Sequence, residues 1–112
     1  AIAKKPICTN QGFQNLVCNN KFDNIFIFYS ILQNKKKLNE FTAGSTFKEI
    51  SKKQMEKISI LVPIDISEQE EIAKILSDMD SEIKELETKR EKYIMIKNTM
   101  MQKLLTGEIR LA

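Results

Sequence analysis

Apolar and polar residues follow two different rules along this chain. From residue 72 to residue 104 the stripe positions are 72, 76, 79, 83, 86, 90, 93, 97, 100 and 104, alternating steps of four and three. That spacing is a heptad seam, the face one helix presents to another. Eight of the ten are apolar: Ile72, Leu76, Met79, Ile83, Leu86, Tyr93, Met100 and Leu104. Arg90 and Lys97 interrupt the seam, but their long stems can cover it while the charges reach water. Ile75, Ile94, Met101 and Leu105 widen the stripe towards its two ends. Ser67 followed by Glu70 has the capping-box pattern, and neither Pro nor Gly intervenes before Gly107. The pattern predicts one helix of about 39 residues, roughly 58 Å long, with Gly107 as its stop. Such a helix exceeds the width of a domain this size, so it protrudes or pairs. The bland alternative is an amphipathic helix folded back on the rest of the chain, with a break near Ser77–Asp80.

Residues 1–66 show no long period. Pro6–Phe13 reads as a short strand running into a turn at Asn10-Gln11-Gly12, and Leu16–Cys18 as a second strand ended by Asn19-Asn20. Asp23 is a suitable N-cap for residues 24–34, which are apolar nearly all round and suit a buried helix, although periodicity alone does not separate such a run from a strand. Lys35-Lys36-Lys37 continues a polar helical turn, Leu38 and Phe41 return to the apolar face, and Gly44 is the natural stop. A polar loop over Gly44–Lys48 leads into another short strand. Ser51 caps a turn over 52–57, and Ile58–Val62 is β-prone up to Pro63. The expected fold class is α+β: a small mixed α/β head over 1–66, then a long helix over 67–112 that pairs as a coiled coil.

Charge sharpens the pairing argument. The net charge of +3 hides +5 over residues 1–66, −6 over 67–87 and +4 over 88–112. Two parallel copies of the helix would set acid against acid and base against base, whereas antiparallel copies set acid against base. An antiparallel homodimer, or pairing with a closely related helix, is therefore expected. Glu70–Lys74, Asp80–Lys84 and Glu85–Lys89 also have the spacing and order of favourable pairs within one helix.

Composition removes whole classes of chemistry. The chain has 112 residues and no His, so a His general base, a Ser-His-Asp triad and a His-ligated metal are excluded. Cys8 and Cys18 form no CxxC pair, so no zinc site is expected; two reduced, half-buried thiols are the better reading, with a disulfide left open by the spacing. No nucleophile–base set and no paired carboxylates appear, so no catalysis, metal or cofactor is expected. No apolar run approaches the ~20 residues of a membrane span, and no secretory signal opens the sequence. A start at Ala1 rather than Met fits a piece of something longer.

The sequence SEQEEIAKILSDMDSEIKELETKREKYIMIKNTMMQKLLTGEIRL resembles the conserved helical region of type I restriction–modification specificity subunits. The carriers are Glu68-Gln69, the step from Ile72 to Leu76, the Asp80 region and the ending Leu104-Leu105-Thr106-Gly107-Glu108-Ile109-Arg110-Leu111. The head, through Cys8–Phe13 and Gly44–Ser51, resembles the C-terminal part of a target recognition domain of the same family. The resemblance implies a non-catalytic cytoplasmic subunit that reads DNA, with long helices packed antiparallel as a spacer. It implies docking to the methyltransferase subunit and, indirectly, to the restriction subunit. The chain has one such helix where the family has two, and a head far shorter than a whole recognition domain. It is expected to be a fragment or a truncated half-subunit that dimerises.

Phosphates favour Lys, hydroxyls and free N–H groups, and base edges favour amides and basic side chains. The candidate DNA-binding residues are Thr9, Asn10 and Gln11 on the first turn, Ser45, Thr46 and Lys48 on the polar loop, and Lys52. Lys35, Lys36, Lys37 and Lys53 could add backbone contacts, although a lysine run such as 35–37 is more often a solvated helix face. The other class of function is a pure assembly piece. It would dimerise through the helix, bind the methyltransferase or a full specificity subunit, and modulate or inhibit the complex without reading DNA.

Overall fold

A computed structural model describes residues 1–10, 12–42 and 50–112. Four helices follow one another: α1 (Asn24–Gln33), α2 (Lys35–Thr42), α3 (Lys52–Met55) and α4 (Ile66–Leu105). Asp23 starts α1 as expected, its carboxylate accepting the Phe26 N–H at 2.7 Å. The helical path turns at Asn34, whose side-chain amide donates to the Ser30 carbonyl at 2.8 Å. That carbonyl also accepts the Asn34 backbone N–H, and α2 starts afresh at Lys35. Ser51 and Gln54 form a reciprocal capping box around α3. The helix is shorter than expected, ending at Met55. The expected stop at Gly44 and the strand after it lie outside the described residues.

The α+β expectation fails. Among the described residues there is no strand, and the architecture is helical. The segments around Pro6–Phe13, Leu16–Cys18 and Ile58–Val62 have strand-like composition and lack helix, but no ladder of backbone hydrogen bonds joins them. Composition makes a segment suitable for a sheet; a strand exists only when a neighbour accepts its N–H and C=O groups. Val17 and Leu61 are left 95% and 97% exposed.

The long helix is present as anticipated and reaches 40 residues without a break at Ser77–Asp80. Its start differs in detail. Asp65, not Ser67, acts as the cap: the Asp65 carboxylate accepts the Ser67 N–H at 3.0 Å, and its backbone carbonyl accepts that of Gln69. The end is as expected. Gly107 has φ +76°, the left-handed conformation that releases the chain from a helix. Its N–H donates to the Leu104 carbonyl, and Ile109 N–H to that of Lys103.

The chain divides into two compact units, Ala1–Leu76 and Ser77–Ala112. In the first, the buried residues among those described are Phe26, Leu38, Ala73 and Gln69. Phe28 and Tyr29 meet edge-on, their ring centroids 5.4 Å apart. In the second unit no described residue is buried, so the heptad seam there lies open.

Candidate functional site

The most constrained point of the first unit is Gln69, in the first turn of α4. It lies on the same helical face as Ile72, Ala73 and Leu76, so the apolar stripe carries an amide side chain to the interior. It is 0% exposed, and all its polar atoms are engaged. Oε1 accepts the Asp23 N–H at 2.9 Å; Nε2 donates to the carbonyls of Pro63, at 2.8 Å, and Lys21, at 3.3 Å. One side chain thereby ties the start of the long helix to the residue that caps α1, to Lys21 just before that cap, and to Pro63 just before the long helix itself. Sequence reasoning assigned Gln69 no role. The signal was available: a polar residue at a stripe position is buried only when its hydrogen bonds are met.

The candidate DNA-binding residues fall into two groups. Thr9 and Asn10 lie exposed on a turn and are engaged within it. Thr9 Oγ1 accepts from the Asn15 side-chain amide at 2.6 Å, and Asn10 Oδ1 from the Gly12 N–H at 3.3 Å. Lys52 is the first residue of α3 and is exposed. No hydrogen bond among the described residues joins that turn to Lys52. Gln11, Ser45, Thr46 and Lys48 lie outside the described residues. Lys35, Lys36, Lys37 and Lys53 are all exposed. Among the described residues no cluster of metal-ligating side chains occurs.

The seam residues also divide. Ile72 and Leu76 are half-buried within the first unit. In the second unit Met79, Ile83, Leu86 and Tyr93 are 50–60% exposed, Met100 is exposed, and Leu104 is half-buried. Arg90 and Lys97 reach solvent, as their stems allow. The expected pairs Glu70–Lys74 and Glu85–Lys89 do not close to ion-pair distance. Instead Lys103 meets Glu108 at 3.8 Å beyond the end of the helix. Such exposed pairs are worth only a few tenths of a kcal/mol, so solvation competes with them. Cys8 and Cys18 are free thiols, Cys8 exposed and Cys18 half-buried.

A helical unit carrying exposed basic side chains, joined by a continuous helix to an open heptad seam, suits a component that positions other molecules. The chain belongs to the family described as the type I restriction modification DNA specificity domain, which it matches over residues 1–95. It is 36% identical over 110 residues to a protein of Methanocaldococcus jannaschii named as a candidate type I restriction enzyme MjaX specificity subunit, covering 97% of this chain and 26% of that protein. It is also 36% identical over 105 residues to the MjaVIII specificity subunit of the same organism, covering 94% of this chain and 24% of that subunit. The MjaIX specificity subunit, again from that organism, is 34% identical over 84 residues, covering 71% and 19%. The chain thus spans about a quarter or less of the length of these relatives. No solved structure matches it. The family is that of the DNA specificity domain of type I restriction–modification systems. Among the described residues no helix is long and apolar enough to cross a membrane.

Proposed function

We propose that this chain acts in the cytoplasm as a DNA-recognition and assembly component of a type I restriction–modification complex. Residues 1–66 serve as part of a target recognition domain that meets DNA, and residues 67–112 as the spacer helix that docks the methyltransferase subunit. The observation that carries this reading is the open seam: Met79, Ile83, Leu86 and Tyr93 recur at heptad spacing on one helix and are half exposed or more. Apolar residues repeated in this way are covered when another helix packs on them. The head's +5 charge supports the DNA side of the reading, through the basic residues that neutralise phosphates. Contacts from Thr9, Asn10 and Lys52, together with Gln11, Ser45, Thr46 and Lys48, supply the interface.

A second reading keeps the helix and drops the DNA: an assembly piece that competes for subunits. It draws on the Thr9–Asn10 turn, where both side chains are already hydrogen-bonded to their neighbours. Capture experiments address what the two readings share. The tagged chain is expected to retain the methyltransferase subunit, and Ile83→Asp with Leu86→Asp to release it. Retention undiminished in that double variant would show that docking does not use the seam.

A further inference from the structure

Gln69 bonds to residues 21–23 as a main-chain amide would. Its Oε1 accepts the Asp23 N–H and its Nε2 donates to the Lys21 carbonyl, so the two bonds straddle Phe22. A residue in a parallel ladder makes the same pair of bonds, to positions one before and one after its neighbour. The remaining Nε2 proton goes to the Pro63 carbonyl, in the segment that leads into α4. Three chain segments therefore meet at one side chain. One turn further along the same face Ala73 is 3% exposed, its small side chain letting the helix come close.

We propose that Gln69 is a positioning residue, whose directional bonds fix the angle at which the first turns of α4 leave the head. The inference rests on the reading that the head meets DNA and the helix docks a partner, and adds the residue that sets how the helix starts from the head. An apolar side chain would continue the stripe of Ile72, Ala73 and Leu76 and would bury without needing partners. Apolar burial is non-directional, so such a side chain holds a helix on a surface at several angles. Hydrogen bonds weaken steeply with misalignment. Gln69 is fully buried with every polar atom engaged, so turning or sliding the first turn leaves a buried group unpaired. The angle is also referred to α1, because Asp23 is the residue that caps that helix. A buried polar group that selects one arrangement among several is a known use of such groups in coiled coils.

Electron–electron double resonance on the full chain tests this. Nitroxide labels go on Gln33→Cys, at the end of α1, and on Lys74→Cys in α4, with Cys8→Ser and Cys18→Ala removing the native thiols. Both labelled positions are exposed and lie in the first unit. With Gln69 in place a single narrow distance is expected. Gln69→Met is expected to broaden the distribution roughly twofold at equal helix content, sucrose being added to offset the lost stability. An unchanged width at equal helix content overturns the proposal and leaves Gln69 a stabilising residue only. Should the Met variant stay unfolded, the native chain decides. Its Gln69 side-chain amide protons are expected to exchange at least about tenfold more slowly than those of the exposed Gln102. Exchange at the Gln102 rate shows the bonds open in solution and overturns the proposal. Neither measurement involves DNA or the methyltransferase, so a head that binds no DNA fails the proposed function and leaves these results standing.

Discussion

The side-chain oxygen of Gln69 accepts the backbone N–H of Asp23 at 2.9 Å, while the Asp23 carboxylate accepts the N–H of Phe26 at 2.7 Å. The first turn of the long helix is thus bonded to the residue that starts α1. The Gln69 amide nitrogen extends the tie to Lys21 and Pro63. Because the side chain is fully buried, these bonds have no water to replace them.

Gln69→Leu is therefore expected to destabilise the first unit by roughly 3 kcal/mol, leaving an N–H and two carbonyls without partners. Gln69→Glu keeps the acceptor but loses the donor and buries a carboxylate beside two carbonyls, so it is expected to cost more at neutral pH. Urea denaturation followed by circular dichroism gives the ordering. Equal stability of native and Leu variants would show that the tie contributes nothing.

Asp23→Ala removes the α1 cap and is expected to cost about 1 kcal/mol, with Asp23→Asn nearly neutral because an amide oxygen caps as well. Amide exchange at Phe26 reads this locally: faster in the Ala variant, near native in the Asn variant.

These caps show where the sequence was informative. Asp23 and Ser51 announce their helices because a short polar acceptor precedes a run of helix formers, and the bond that results is local. The long helix α4 was legible for the same reason, since period and absence of Pro and Gly are properties of one segment. Ser67 misled by one pattern, the capping box, when the nearby Asp65 offered a charged acceptor to the same turn. Leu16–Cys18 and Ile58–Val62 misled more seriously. Their β-branched and apolar residues state a preference that only a neighbouring strand can realise, and no ladder forms among the described residues. Gln69 entered only as part of the Glu68-Gln69 pair in the family resemblance; its role as a buried tie was not legible, because two of its partners, Asp23 and Lys21, lie 46 and 48 residues away.

Gly107 holds φ +76° with open space where a Cβ would stand. Gly107→Ala therefore pays a backbone cost of about 1 kcal/mol and no steric one. The expected outcome is fraying confined to the last turn of α4, seen as faster exchange of the Ile109 amide, with the first unit unchanged.

Ile83→Asp with Leu86→Asp places two charges in the seam. Self-association is expected to be lost at tens of micromolar while the stability of the first unit stays within about 0.5 kcal/mol, since surface changes away from packed groups are mild. Light scattering and urea denaturation of the same sample give both readings.

The central claim is that this chain both meets DNA and docks the methyltransferase subunit. Fluorescence anisotropy of a duplex bearing the system's methylation site, titrated with the chain alone and then with the methyltransferase subunit across a salt series, tests it most directly. The expected result is an affinity that falls as salt rises, strengthens when the methyltransferase is added, and weakens on Gln11→Ala with Lys48→Ala. No binding of the duplex by the chain, alone or beyond what the methyltransferase shows by itself, with the methyltransferase still captured, would contradict the claim and leave an assembly piece that reads no DNA.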